Sequence, residues 1–208
     1  MTQIGLPFDW PGQRDGRDFL VSEANRLAVA HLERWRDWPV MTSVLSGPAR
    51  SGRSTLARLF ADMSGGRVID DAQEEDERLL FHAWNEAQGE RRPLLLVGQE
   101  PPQDWAVALP DLRSRLTAAP HVAIAEPDEA LARALIERAL TAAGAGYAAD
   151  LPDWLVRRME RSYGAIARVT RLLDRAALSS GRKISVAMAK ETLQSAGFFN
   201  IVPTDPAP

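Results

Sequence analysis

The chain has 208 residues, 45% of them hydrophobic and 25% charged, with a net charge of −3 and no cysteine. That length buries a full core in one domain or a compact pair, and the missing thiols exclude disulfides and thiolate chemistry, as expected of a cytoplasmic protein. No apolar run approaches the ~20 residues of a membrane span, no signal peptide is expected at Met1-Thr2-Gln3-Ile4-Gly5, and the acidic balance supplies no general attraction to nucleic acid.

Residues 1–16 carry Gly5, Pro7, Pro11, Gly12 and Gly16 and read as an extended arm. A helix is expected from Ser22 to about Trp35, with Leu27, Ala30 and Leu32 among its apolar positions. Val40, Val44 and Leu45 then lead into Gly47-Pro48-Ala49-Arg50-Ser51-Gly52-Arg53-Ser54-Thr55, after which Leu56, Leu59 and Phe60 recur at helical spacing. This is the G-x-x-x-x-G-K-[ST] phosphate-binding loop in its strand–loop–helix context, with Arg53 in the lysine position. The glycines permit a tight loop whose backbone N–H groups converge on one anion, and the following helix adds its positive end. Ser54 is placed to put a hydroxyl on a magnesium ion. Arginine brings a broad planar fork where lysine brings a point charge, so the loop predicts a bound nucleotide and argues against its fast turnover. The plainer alternative is a Gly-Pro-Gly turn without a ligand.

After Gly65-Gly66, Arg67-Val68-Ile69 forms a short strand ending in Asp70 and Asp71. Ligands of open parallel sheets gather at such carboxyl ends, and Asp70 is a candidate magnesium ligand there; alternatively the two carboxylates only cap a helix beginning near Gln73. The acidic run Glu74–Glu77 suits a helix start, with Leu79, Leu80, Ala83 and Trp84 as the buried stripe. Leu94–Val97 and Val122–Ile124 are the remaining strands, and Gln99, just past the first of these, is within reach of a terminal phosphate. Alternating strands and helices imply a parallel sheet covered on both faces. Beyond Pro127 only helices are expected, around Leu131, Ala134 and Leu135, Leu155 and Met159, then Ile166, Val169, Leu172 and Leu173, and a last one capped by Ser185 that carries Ala189 and Leu193. The three histidines, His31, His82 and His121, form no ligand-spaced motif.

In this order the pieces resemble the DnaA-related AAA+ family, above all its short Hda-type members, which regulate the replication initiator. Phe19–Ala28 is similar to the segment bordering the adenine pocket. Leu94–Pro102 resembles the sensor-1 strand, with Gln99 in place of the usual aspartate, and Leu109–Leu116 resembles the stretch carrying the arginine finger, which is then Arg115. Leu173-Asp174-Arg175-Ala176 and Arg182-Lys183-Ile184-Ser185 match the lid end. Gln3-Ile4-Gly5-Leu6-Pro7-Phe8 fits the family's short clamp-binding motif, in which Gln3 hydrogen-bonds and Leu6 and Phe8, beside Ile4, fill a groove.

The resemblance implies an extended arm over 1–16, a trimmed α/β nucleotide-binding base over 17–127, a helical lid over 128–198 and a flexible tail over 199–208. It also implies ADP or ATP with Mg2+, held by residues 47–55, Asp70 and Gln99, and as partners the DnaA initiator and the DNA polymerase III sliding clamp. DNA is reached only through the clamp. Thr55 and Asp70 stand closer together than the family's inserted strand and helix require, and the lid arginine aligns with Gly164, leaving Arg168 one turn later as its substitute. Arg53, Gln99 and Gly164 together imply a nucleotide held rather than consumed. The expected role is stimulation of ATP hydrolysis in a partner, with at most weak ATPase activity in the chain itself. The alternatives are a self-contained AAA+ loader or remodeller and a nucleotide-free scaffold.

Overall fold

Five consecutive buried residues, Thr42–Ser46, form β1 in the interior of a parallel sheet. A strand buried on both faces must pair every polar group it carries. Thr42 Oγ1 accepts from Gln88 Nε2 (3.3 Å), Ser43 Oγ donates to the Pro120 carbonyl (2.9 Å), and Ser46 Oγ bonds His121 Nε2 (2.8 Å). β1 pairs with β3 (Leu94–Val97) and β4 (His121–Ala123), and β3 pairs with β2 (Arg67–Ile69), giving the order β2-β3-β1-β4. The computed structural model describes residues 19–144 and 146–198. Gln3, Ile4, Leu6 and Phe8 of the arm and the tail from residue 199 therefore lie outside the described residues.

Helix α1 (Arg26–Glu33) lies against α2 (Arg53–Ser64) and β4, and α2 against β2 and β3. α3 (Glu77–Glu90) covers β1 and β3, with α4 (Pro110–Ala118) beside it. Val44, Ile69, Leu94 and Leu96 meet Leu80, Trp84, Leu112 and Leu116 in one core, each large side chain contributing about 1.5–3 kcal/mol on burial. The expected sheet with helices on both faces is thus present.

Three expected apolar positions, Leu27, Ala30 and Leu79, turn outward. Leu27 is 67% exposed because α1 buries Ala28, Val29 and Leu32. Leu79 is 38% exposed because the acidic run does not open one continuous helix. Ala72–Glu74 forms a separate 3-10 turn, and α3 begins only where Asp76 accepts the amides of Arg78 (2.8 Å) and Leu79 (3.1 Å). The buried stripe of α3 is accordingly Leu80, Ala83, Trp84 and Ala87.

A second compact unit begins at Glu126. It contains α5 (Glu129–Ala142), α6 (Leu151–Val156), α7 (Tyr163–Ser180) and α8 (Val186–Ser195) around a core that includes Ile136, Leu140, Leu155, Val169, Leu173 and Leu193. Asp128, Ser162 and Ser185 cap α5, α7 and α8 through their side chains. Helices are not alone here. Ala148 N–H donates to the Ile184 carbonyl and Ile184 N–H to the Gly146 carbonyl, both at 2.8 Å, forming an isolated parallel bridge. Among the described residues, no helix is long and apolar enough to cross a membrane.

His31 and His121 join α1 to the sheet. Because Ser43 Oγ donates to Pro120, it accepts from His31 Nε2 (2.8 Å), while the His31 ring stacks on Trp38 at 5.1 Å. Burial holds both imidazoles below the ordinary histidine value, and the charge of His121 adds to the effect at His31. A group whose folded pKa is depressed binds fewer protons folded than unfolded, so its stabilisation is complete above the unfolded value of ~6.5 and is lost as pH falls through it. Thermal unfolding followed by circular dichroism from about pH 7 to about pH 5 should show a falling Tm, with a shallower fall for His31→Gln. An identical slope in the variant contradicts this assignment.

Candidate nucleotide site

At the carboxyl end of β1 the chain passes through a position with no room for a side chain. Gly47 donates its N–H to the Gln99 carbonyl (3.2 Å), and a Cβ on it would stand 2.8 Å from the Ile124 carbonyl oxygen. Ser51 N–H closes a turn onto the Pro48 carbonyl (3.2 Å), Ala49 and Arg50 are exposed, and Arg50 takes the left-handed φ of 68°. Gly52 (φ 91°) ends the loop, and Phe19 Cε2 lies 3.0 Å from where its Cβ would be. The segment that resembles an adenine-pocket border thus begins against the loop. Asn25 folds this segment: its Oδ1 accepts from Ser22 N–H (2.9 Å) and its Nδ2 donates to the Leu20 carbonyl (2.8 Å).

No side chain caps the N-terminus of α2 and its first turn holds no acid. Unused amides and a positive helix end therefore face this loop. Arg53 runs inward and is only 9% exposed, and its Nη1 is buried without a hydrogen-bond partner among the described residues, as is Ser51 Oγ. An unpaired buried donor on a charged group costs upward of ~1–3 kcal/mol. A phosphate oxygen is the acceptor both orphans lack, so the residues present fit a bound phosphate group. Ser54 is exposed and Thr55 half-buried; the Ser54 hydroxyl suits a magnesium ion accompanying that phosphate.

Asp70 follows β2 and is exposed, its Oδ1 accepting from Asp71 N–H (3.1 Å). Ile69 pairs with Leu96, so Asp70 comes level with Val97 and Leu45. The loop and Asp70 therefore flank the end of β3 from its two sides, two strand spacings or ~10 Å apart across the sheet. Gln99 occupies that end. Its N–H donates to Gln73 Oε1 (2.9 Å) and its side chain is exposed. Asp71 (φ 50°) is, with Arg50, a non-glycine residue in left-handed backbone beside the crevice, where such strain is commonly stored for function.

Arg115 lies on α4, away from the loop in sequence and not among its contacts. Its Nη1 donates to Asn85 Oδ1 (2.7 Å), its Nη2 to Asp111 (2.9 Å), and its guanidinium carbon sits 4.6 Å above the Phe81 ring. The side chain is 29% exposed. Arg113, two positions before it, donates through Nε (2.9 Å) and Nη2 to the Val107 carbonyl. Glu77 accepts the N–H groups of Ala108 (2.6 Å) and Leu109 (2.7 Å), which hold its carboxyl below the usual range and tie the start of α4 to α3. Arg168 belongs to the second unit, on the exposed face of α7, its guanidinium 5.4 Å from the Phe198 ring centre.

Gln73, Asn85 and Glu77 stand out in no sequence motif. Gln73 and Glu77 are hidden within an acidic run, and Asn85 lies thirty residues from its partner Arg115; only the packing of α3 on α4 and of the 72–74 turn on β3 brings them to the site.

The fold and loop define an AAA+ architecture, a parallel sheet with surrounding helices followed by a helical region. The solved structures it resembles include domain III of the Thermotoga maritima replication initiation protein DnaA, at a TM-score of 0.71 and 14% identity over 88% of this chain and 95% of that one. AMPPCP-bound DnaA from Aquifex aeolicus gives 0.62 and 17%, over 85% and 68%. The Thermotoga maritima RuvB branch migration motor gives 0.63 and 18%, over 85% and 70%. At such identities the likeness is one of fold. No family model matches the chain.

Isothermal titration with ADP should register binding by the wild-type chain, at least about tenfold weaker binding by Arg53→Ala, equivalent to ~1.4 kcal/mol, and none by Gly47→Val, whose side chain meets the Ile124 carbonyl. Equal affinities across the three would remove the site.

Proposed function

We propose that the chain is an Hda-like AAA+ adaptor. It holds ADP, or ATP, with Mg2+ at residues 47–55, Asp70 and Gln99, binds the DNA polymerase III sliding clamp through Gln3, Ile4, Leu6 and Phe8, and promotes hydrolysis of ATP on the DnaA initiator, restraining replication initiation. The observation that carries the nucleotide reading is the buried Arg53 guanidinium with a nitrogen lacking a partner. When bound, a nucleotide supplies the anionic charge that this loop and the N-terminus of α2 leave unmatched.

The chain's own residues favour retention over turnover. Arg53 offers a fork that grips two oxygens at once where lysine would track a moving charge. Gln99 is uncharged, and Asp71, the other carboxylate at this strand end, is too short and too exposed to hold a water firmly against a phosphate.

Arg115 suits action on a partner's nucleotide because its orientation is already set. Asn85 and Asp111 each take one N–H, Phe81 supports the plane, and the remaining donors of the fork stay available at a partly exposed surface. A preset guanidinium loses less entropy on meeting a phosphoryl oxygen, and an arginine supplied in trans stabilises the charge that develops there. Arg113 and Glu77 fix the helix that presents it. Arg168 is assigned the lid contact to the nucleotide in place of the arginine missing at Gly164.

Hydrolysis of DnaA-bound ATP on clamp-loaded DNA tests the reading. Arg115→Ala should lower the stimulated rate by about 100-fold or more, and Gln3→Ala should lower it while leaving ADP binding intact. Two variants as active as wild type would refute the adaptor. Steady ATP turnover by the isolated chain, lost in Asp70→Asn, would mark a self-contained ATPase instead, and failure to bind any nucleotide would mark a scaffold.

A further inference from the structure

The chain is acidic overall, yet eight basic residues face only two acidic ones, Glu160 and Asp174, between Arg157 and Lys183. α7 sorts this charge by its period. Ile166, Val169, Thr170, Leu173 and Ala177 are buried, while Arg168, Arg171, Arg175 and Leu178 share the opposite, exposed face. Gly181 ends the helix in the left-handed conformation, and Arg182 and Lys183, both exposed, prolong the stripe. Arg171, Arg175, Arg182 and Lys183 make no ion pair with any described residue. Asp174, the acid of this helix, is half-buried and keeps its Oδ1 out of contact with solvent. Beyond the end of α7 an open groove carries Arg182 and Lys183 beside Ser180, Ser185 and Thr192, with Glu191 as its acid. α8 starts there with no acid in its first turn.

We infer that this face is a docking surface for the phosphate backbone of nucleic acid, read without regard to sequence. The helix rises ~1.5 Å per residue, so Arg171 and Arg175 stand roughly 6 Å apart along it; a nucleic-acid strand presents one charge per ~3.4 Å of duplex axis, within the reach of arginine arms. Guanidinium forks and hydroxyls are the groups that position a backbone, whereas base readout needs side chains entering a groove. A protein partner would be expected to find apolar anchors at the centre of the face, and among the described residues this face offers Leu178 alone, 72% exposed. The charge complementarity therefore selects a polyanion of regular spacing. Direct contact of this kind goes beyond DNA reached through a clamp; Arg171, Arg175, Arg182 and Lys183 carry it, so it stands independently of Arg115 and of the nucleotide contact proposed for Arg168.

Fluorescence anisotropy with a short random-sequence duplex and the full chain tests it. Neutralising three to four phosphates lowers affinity by roughly 40- to 150-fold between ~50 and ~200 mM salt. Arg171→Glu/Arg175→Glu should weaken duplex binding at least tenfold and flatten the salt slope. Arg171→Ala/Arg175→Ala, which leaves the helix its propensity, should shift both in the same direction. Arg58→Glu/Arg78→Glu, exposed elsewhere and matched in net charge, should bind as wild type. A single-stranded oligonucleotide that binds comparably, with the same loss in the α7 variants, supports the same surface. The inference is overturned if wild type does not bind duplex at ~50 mM salt, if the α7 variants bind as wild type, if the matched control loses as much, or if a polyglutamate peptide binds as tightly as the duplex.

Discussion

The hydrogen bond from Gly47 to the Gln99 carbonyl, together with the close approach of Gly47 to Ile124, ties the ends of three strands to one point. β1 cannot turn into α2 unless the backbone passes between the ends of β3 and β4 at a distance no side chain tolerates. Once it does, the direction of α2 is set, its unpaired amides face the crevice, and Arg53 is carried inward. The buried hydroxyls of β1 serve the same end. Ser43 and Ser46, bonded to Pro120 and through His121 to β4, hold the strand in the register that puts Gly47 there.

Arginine appears in this protein in three physical situations. At position 53 it is buried with a nitrogen unsatisfied, a costly arrangement that a bound anion relieves. At position 115 it is half-shielded and held by Asn85, Asp111 and Phe81, which limits its motion while leaving donors free. At positions 171 and 175 of α7 it is exposed and without an ion-pair partner among the described residues, where its charge acts through the field it projects. The side chain is the same in each case; burial and neighbours decide what it does.

Around these arginines, local polar contacts hold the framework. Glu77 ties the start of α4 to the first turn of α3, and Arg113 locks the loop before it by gripping the Val107 carbonyl. Both act on backbone groups, so they fix the chain's path more than the identity of its side chains. The second unit is organised more simply, by an apolar stripe on each helix and a serine or aspartate side chain capping three of the four helix starts.

Much of this was legible from residues alone because it is governed by local chemistry. The phosphate loop is written in glycines and a helix start, with Val44 and Leu45 leading into it; the strand at 94–97 in a short apolar run; the cap at Ser185 in a side chain that reaches only three residues. Asp70 at a strand end and Arg115 at the end of a short helix were likewise visible as candidates. Other features were set by contacts between segments distant in the chain. Leu27 and Leu79 face outward because the partners of α1 and α3 select other faces. Arg113 is held because the 105–109 loop folds back to offer it the Val107 carbonyl, and Asn85 and Gln73 join the site only when α3 and the 72–74 turn are packed. Sequence alone determined which groups can bind phosphate and where helices start, since those depend on neighbours in the chain. Only the tertiary structure decided that Arg53 is buried without a partner and that the arginines of α7 lie open to solvent, because burial is a property of what surrounds a residue in space.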